Sequence, residues 1–245
     1  MEMINNDKSL QHLLDELSED DDAKQILKTQ TKEIQQLYTY YRCAMYEIET
    51  KFHVLSEEFS LLEDSNPIES IKIREKSMRS LLNKLHRRNL PFSAEAIFDN
   101  IFDVAGVRVI CAFEDDVYSV AQSLLKQDDI ELLEEKDYIK NPKLNGYRSL
   151  HLIVTVPIFL AKEKKKIPVE IQIRTIAMDF WAALEHQIRY KKDNDKAEEL
   201  AIPLKACAEL SATLDHHMNS LRQKLNENEK IINYIGSCCF ISRML

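Results

Sequence analysis

Residues 20–62 contain neither Gly nor Pro, and apolar side chains return there at helical spacing: Ile26, Leu27, Ile34, Leu37, Tyr41, Met45, Ile48, Phe52, Leu55 and Phe59. This spacing predicts one or two long amphipathic helices. The acidic run EDDDA at their start suits the positive end of a helix dipole. Asn66-Pro67 then breaks the pattern. Beyond it, strand-like and helix-like segments alternate.

Strands are predicted at SIKIRE (70–75), DVAGVRVICAF (103–113), ELLEEKDYI (131–139), GYRSLHLIVTVP (146–157) and PVEIQIRT (168–175), the last two joined by the Lys-rich connection AKEKKK. Helices are predicted at SMRSLLNKLHRR (77–88), DDVYSVAQSLLKQ (115–127) and IAMDFWAALEHQIRYKK (176–192). A further Gly-poor helical region runs from DNDKAEEL to about Tyr234, with Pro203 at its start or at a kink. The fold class is therefore α+β. A mixed centre over residues 66–192 lies between a helical extension at 1–65 and a second extension with a tail at 193–245.

Side chains alternate across a strand, so parity sorts them into faces. Tyr147, Ser149, His151, Ile153 and Thr155 share one face, with Arg148, Leu150, Leu152, Val154 and Val156 on the other. PVEIQIRT divides more cleanly, with Val169, Ile171 and Ile173 opposite Glu170, Gln172 and Arg174. A one-sided solvated sheet yields such alternation without any function. The residue types argue for more, because a carboxylate, an amide, an imidazole and a tyrosine together can grip a nucleotide.

The chain has 245 residues, 44% of them hydrophobic, and a net charge of −8. A protein that binds the nucleic-acid backbone usually carries a basic surplus, so nucleic acid is an unlikely partner, while a local basic pocket for a small polyanion stays open. The five cysteines show no CxxC spacing and read as free thiols. His216-His217 and Cys238-Cys239 read as surface or interface residues, since adjacent histidines on a helix diverge by about 100° and seldom share an ion. The amino terminus has no apolar signal core, and the longest apolar run is too short to span a bilayer. A cytoplasmic protein without membrane contact is expected.

Two carboxylates and a basic cluster carry the candidate chemistry. Asp103 and Glu170 lie at or in separate strands and together could hold Mg²⁺, a hard cation that takes carboxylate and phosphate oxygens. The pattern RxKxxxSxxxK, at Arg74, Lys76, Ser80 and Lys84, could bracket a triphosphate; Ser80 and Lys84 share one helix face. Strict alternation sends Asp103 and Arg108 to opposite faces. Either Gly106 allows a bulge that resets parity, or Asp103 sits just outside the strand.

Taken in order, RxKxxxSxxxK, FDVAGVRV, KDYIKNPKLNGYRSLH, VEIQIRT and WAALEHQIRYK resemble the RelA/SpoT synthetase family, and most closely its small single-domain alarmone synthetases. The likeness spans about residues 66–192. It implies a nucleotidyltransferase-like, mostly antiparallel sheet surrounded by helices. The implied activity is transfer of pyrophosphate from ATP to the 3′-hydroxyl of GDP or GTP, giving ppGpp or pppGpp and AMP. By the same resemblance Arg74, Lys76, Ser80, Lys84 and Arg108 belong to the ATP site, and Asp103 and Glu170 hold Mg²⁺. Glu170 also helps deprotonate the attacking hydroxyl. Tyr147 stacks on guanine, and Lys143, His151 and Gln172 contact the acceptor's phosphates or ribose. Stacking cannot select guanine, so Asp179, a carboxylate able to accept from N1–H and the 2-amino group, is the candidate reader.

Small synthetases of this kind are homotetramers built with flanking helices, and the same is expected here. No HD dipeptide occurs, so the hydrolase domain of the long members is expected to be missing. The alternatives are another acceptor, such as a different nucleotide or an RNA 3′ end, and a non-catalytic nucleotide- or RNA-binding regulator.

Overall fold

The computed structural model describes residues 21–62, 66–190 and 200–241, with side chains given for 29–62, 66–188 and 200–226. The first run forms one continuous helix, α1 (Asp21–Leu62). Its repeat places Ile34, Tyr41, Met45, Ile48 and Phe52 on one side, each at most 1% exposed. That stripe packs into the core against the sheet, so α1 covers its own chain's hydrophobic face.

The sheet has five strands: β1 (Ile68–Glu75), β2 (Ala105–Cys111), β3 (Glu131–Asp137), β4 (Leu150–Phe159) and β5 (Lys164–Thr175). Their spatial order is β1-β2-β5-β4-β3, and only the central β2–β5 pair is parallel. The mostly antiparallel α+β architecture expected from the sequence is therefore present. Val107, Val109, Ile171 and Ile173 are buried and join the core with α1. The opposite face is polar, and pairing aligns its residues in rows. Lys72 stands beside Arg108, then Gln172, then His151; one row over, Arg74 stands beside Gly106, then Glu170.

Among the described residues four further helices precede the carboxy-terminal one: α2 (Met78–Arg87), α3 (Ala94–Asn100), α4 (Glu114–Leu125) and α5 (Ile176–Tyr190). The segment forming α3 was not anticipated, because seven residues give too short a repeat to read. Its local signal is Ser93, whose hydroxyl caps the Ala96 N–H at 3.1 Å. The carboxy-terminal helix, α6, runs Ala201–Ile241, past the expected end near Tyr234. Pro203 lies in its first turn, where no helical hydrogen bond is lost.

The strand starts that differ most from expectation are those of β4 and β5. β4 begins at Leu150, because residues 143–147 use their backbone groups among themselves: Gly146 N–H donates to Lys143 O at 2.8 Å, and Lys143 N–H to Tyr147 O at 3.2 Å. Conversely, Lys164–Lys166 belong to β5 rather than to a connection, pairing with Phe159, Ile158 and Pro157. Two of their ammonium groups sit over aromatic rings, Lys164 Nζ 4.8 Å from the Phe159 centroid and Lys165 Nζ 4.5 Å from that of Tyr40. Among the described residues no helix is long and apolar enough to cross a membrane.

Candidate active site

The polar face opens into a cavity of about 430 Å³ lined by Lys72, Arg74, Lys76, Arg108, Asp103, Glu170 and Gln172. The strand rows explain its shape. Between Arg74 and Glu170 the sheet carries Gly106, and a Cβ there would come within 3.2 Å of Arg74 O. Glycine keeps the floor of the cavity low. The β1–β2 register is regular across Gly106, so no bulge resets parity. Asp103 instead lies in the turn before β2, held there by the buried Ile101 and Val104 and by a Lys76 N–H bond to Val104 O.

Asp103 is gripped by two lysines. Lys76 Nζ donates to Oδ2 at 2.9 Å, and Lys84 Nζ forms an ion pair with Oδ1 at 2.8 Å. Burial pushes the Asp103 pKa up, but the two ammonium groups outweigh it and hold the carboxyl below its ordinary value. Ser80, one turn ahead of Lys84 on α2, does not line the cavity; it is exposed, and its hydroxyl accepts from Ser77. The pattern RxKxxxSxxxK thus delivers three cations to Asp103 and the cavity and leaves its serine at the surface.

Glu170 stands at the centre. Gln172 donates to its Oε2 at 2.8 Å, and His151 Nδ1 lies 3.3 Å from Oε1. Burial opposes its ionisation, and these two contacts overcome that opposition, so its pKa falls below the usual carboxylate value. Both carboxylates are therefore charged at neutral pH.

They also suit a hard cation. Asp103 Oδ1 is buried and receives no well-aligned hydrogen bond. No cluster of three or more His, Cys, Asp or Glu side chains suited to a metal occurs among the described residues. Two carboxylates completed by water and phosphate oxygens match Mg²⁺, which usually keeps such a shell.

On the far side of Glu170, Tyr138, Tyr147 and His151 meet edge to face, with centroids 5.2–6.1 Å apart. Lys143 Nζ lies 4.5 Å from the Tyr138 ring and 4.7 Å from the Tyr147 ring. Burial draws the Lys143 pKa down. Asp179, in the first turn of α5, receives Arg174 Nη1 at 3.2 Å and Arg108 Nη1 at 3.4 Å, both on Oδ1. Arg108 is itself shifted down, by burial first and by neighbouring Arg174 next.

Of the residues singled out in the sequence, all but Ser80 thus converge on the cavity or its aromatic margin. Lys72, Tyr138 and Arg174 were not assigned roles. Parity had put Arg174 on the Glu170 face, but nothing local marked it as the hub it forms. His216 and His217 are exposed on α6, and the Cys238 and Cys239 side chains lie outside the described residues.

The description "Region found in RelA / SpoT proteins" matches residues 73–195. Among characterised proteins, the chain is 41% identical over 206 residues to the GTP pyrophosphokinase YwaC of Bacillus subtilis, covering 84% of this chain and 96% of that protein. It is 34% identical over 187 residues to GTP pyrophosphokinase YjbM of the same organism, covering 76% and 87%. Among solved structures, small alarmone synthetase 1 of B. subtilis bound to its product pppGpp aligns with a TM-score of 0.73 at 34% identity, over 79% of this chain and 98% of that one. Small alarmone synthetase 2 of B. subtilis aligns with a TM-score of 0.71 at 41% identity, over 78% and 99%.

Proposed function

We propose, from the premise that this chain belongs to the RelA/SpoT family, that it is a GTP pyrophosphokinase making ppGpp or pppGpp and AMP in alarmone signalling. The observation that carries this reading is the position of Glu170. It faces the cation-lined cavity on one side and, through His151, the aromatic cluster of Tyr147 on the other. A group so placed lies between a bound triphosphate and a stacked nucleoside.

In this reading Arg74, Lys76, Lys84 and Arg108 take the ATP phosphates, with Ser80 at the rim. Lys76 and Lys84 exchange Asp103 for phosphate oxygens. The acceptor lies with its base on Tyr147 and its sugar and phosphates against Lys143, His151 and Gln172, and Asp179, anchored by two guanidiniums, reads the guanine edge. The 3′-oxygen bonds to the β-phosphorus as the bridge to the α-phosphate breaks, and AMP departs. Glu170 accepts the hydroxyl proton, while the cations draw charge from the β-phosphate. Mg²⁺ held by Asp103 and Glu170 would neutralise phosphate charge during the transfer. Residues 66–192 form the catalytic part, and the flanking helices support it.

Assembly as a homotetramer is the second part of the proposal. α1 buries its main stripe on its own sheet but leaves Tyr46, Val54 and Leu61 exposed, and α6, with exposed Leu210, Leu214, Met218, Leu221 and Leu225, and α5, with exposed Phe180, Leu184 and Ile188, offer further apolar faces to other copies. We place the enzyme in the cytoplasm, with its nucleotide substrates. Incubation with labelled ATP, Mg²⁺ and GDP or GTP should yield labelled ppGpp or pppGpp. Absence of transfer to either acceptor would overturn the reading, and a monomeric mass by light scattering would remove the tetramer.

A further inference from the structure

Arg174 is a buried cation that the scheme above uses only as one of the two guanidiniums anchoring Asp179. It is 4% exposed and sits behind the cavity rather than among its lining residues. Every nitrogen of its guanidinium is engaged. Nε donates to Ser149 Oγ at 3.3 Å, Nη1 to Asp179 Oδ1 at 3.2 Å, and Nη2 to Tyr147 Oη at 2.5 Å and Gln172 Oε1 at 2.9 Å. These partners come from the segment before β4, from β5 and from α5. Three of them, Tyr147, Gln172 and Asp179, are the residues assigned to the acceptor nucleotide.

The chemistry of the donors orders the rest of the network. A guanidinium only donates, so the Tyr147 oxygen accepts from Arg174 and its proton turns toward His151 Nε2, 2.8 Å away. His151 then carries its own proton on Nδ1, directed at Glu170 Oε1, 3.3 Å off. A chain of donors thus runs from Arg174 through Tyr147 and His151 to the central carboxylate. Its direction is set at both ends, since the guanidinium only donates and the ionised Glu170 carboxylate only accepts, which puts the proton of a neutral His151 on Nδ1. Holding a guanidinium out of water is costly, and here it shares one carboxylate oxygen with Arg108. A stabilising role alone would be met more cheaply by an apolar side chain.

We propose that Arg174 is the positioning residue for the acceptor half of the site, placing the Tyr147 ring, the Gln172 amide and the Asp179 carboxylate together for a guanosine di- or triphosphate without contacting ATP. The proposal rests on the pyrophosphokinase reading. Lysine cannot replace the fork, because one ammonium cannot reach four acceptors in a plane.

The test measures steady-state kinetics with each substrate varied, and GDP binding by calorimetry without ATP, for wild type, Arg174→Lys, Tyr147→Phe and the double variant. Loss of a charge-assisted hydrogen bond should weaken GDP binding and raise the acceptor KM about ten- to hundred-fold in Arg174→Lys. The KM for ATP should stay within about two-fold of wild type. Tyr147→Phe, which keeps the ring and removes only the bonded oxygen, should shift the same parameters, and the double variant should be no worse than Arg174→Lys. Equal rises in both KM values, or additive defects, would overturn the proposal. Should Arg174→Lys fail to fold, Tyr147→Phe probes the same bond from its half-buried end, and unchanged GDP affinity there refutes the proposal by itself. A wild type that transfers nothing to GDP or GTP fails the functional reading instead. Transfer by the wild type without an acceptor-specific defect in the variants fails this inference alone.

Discussion

Replacing Gly146 with alanine would put a methyl group where the carboxy-terminal helix already sits. Gly146 has φ +87°, and a Cβ built on it would lie 2.5 Å from the Ala208 Cβ on α6. Two costs follow. A left-handed backbone costs an L-residue about 1–2 kcal/mol. Overpacking costs about 1–3 kcal/mol, and the atom in the way is a Cβ with no rotamer to escape into, so backbone must move. Together the expected loss is about 2–5 kcal/mol. The chain's single tryptophan, Trp181, reports on this contact. It is 6% exposed, and its indole N–H donates to Leu204 O of α6 at 2.9 Å. Urea unfolding followed by tryptophan fluorescence at fixed protein concentration therefore measures the change. Adding Ala208→Gly removes the clash but not the strain. Gly146→Ala should thus cost less in the Ala208→Gly background than in wild type. A loss under about 0.5 kcal/mol, or no relief from the second substitution, would refute the argument. Because the 143–147 turn presents Lys143 and Tyr147, the same variant should weaken acceptor binding more than ATP binding.

Glu170→Gln should lower kcat by about 10²–10⁴-fold with an unchanged circular-dichroism spectrum, and near-normal turnover would remove both its metal and its base assignment. Tyr147→Ala gives up a stacking face worth about 1–3 kcal/mol; the acceptor KM should rise about 5- to 150-fold while that for ATP holds. Asp215, on α6, accepts a hydrogen bond from Thr175 at 2.5 Å, and burial raises its pKa above the ordinary carboxylate value. A raised folded-state pKa contributes stability below the unfolded value that is lost as pH rises through the folded one. Asp215→Asn keeps an oxygen for Thr175 and should therefore melt higher than wild type near neutral pH, with the difference closing toward about pH 4. A lower melting temperature at neutral pH would mean that the attraction of Arg148 outweighs burial.

Much of this molecule was legible along the chain. The α1 stripe, the division of PVEIQIRT into a core face and a polar face, and the five ordered motifs are local properties. Helical and strand periodicities are set by backbone geometry within a few residues, so Ile34 through Phe52, or Glu170 and Gln172, announce their faces wherever the element ends up. The motifs extended this to the family, and the comparisons agree. α3 escaped because about two helical turns leave too little repeat to read, and the lysines of β5 because a run of charge reads as a connection when its ring partners lie elsewhere in the chain.

The remainder depended on which distant segments meet. Asp103 was a candidate from the sequence, but how it reaches the polar face was decided by the turn before β2, which brings it to Lys84, nineteen positions earlier in sequence. Arg174 has no local mark, since its importance lies in partners on three separate elements. Gly146 stood only as the first residue of a predicted strand, and that α6, some sixty positions later, presses against it is a fact of the tertiary structure. Alternation and spacing are decided within an element by covalent geometry. The pairing of a buried cation, the closeness of two carboxylates and the room left beside a glycine are decided between elements, by packing that no single stretch of sequence contains.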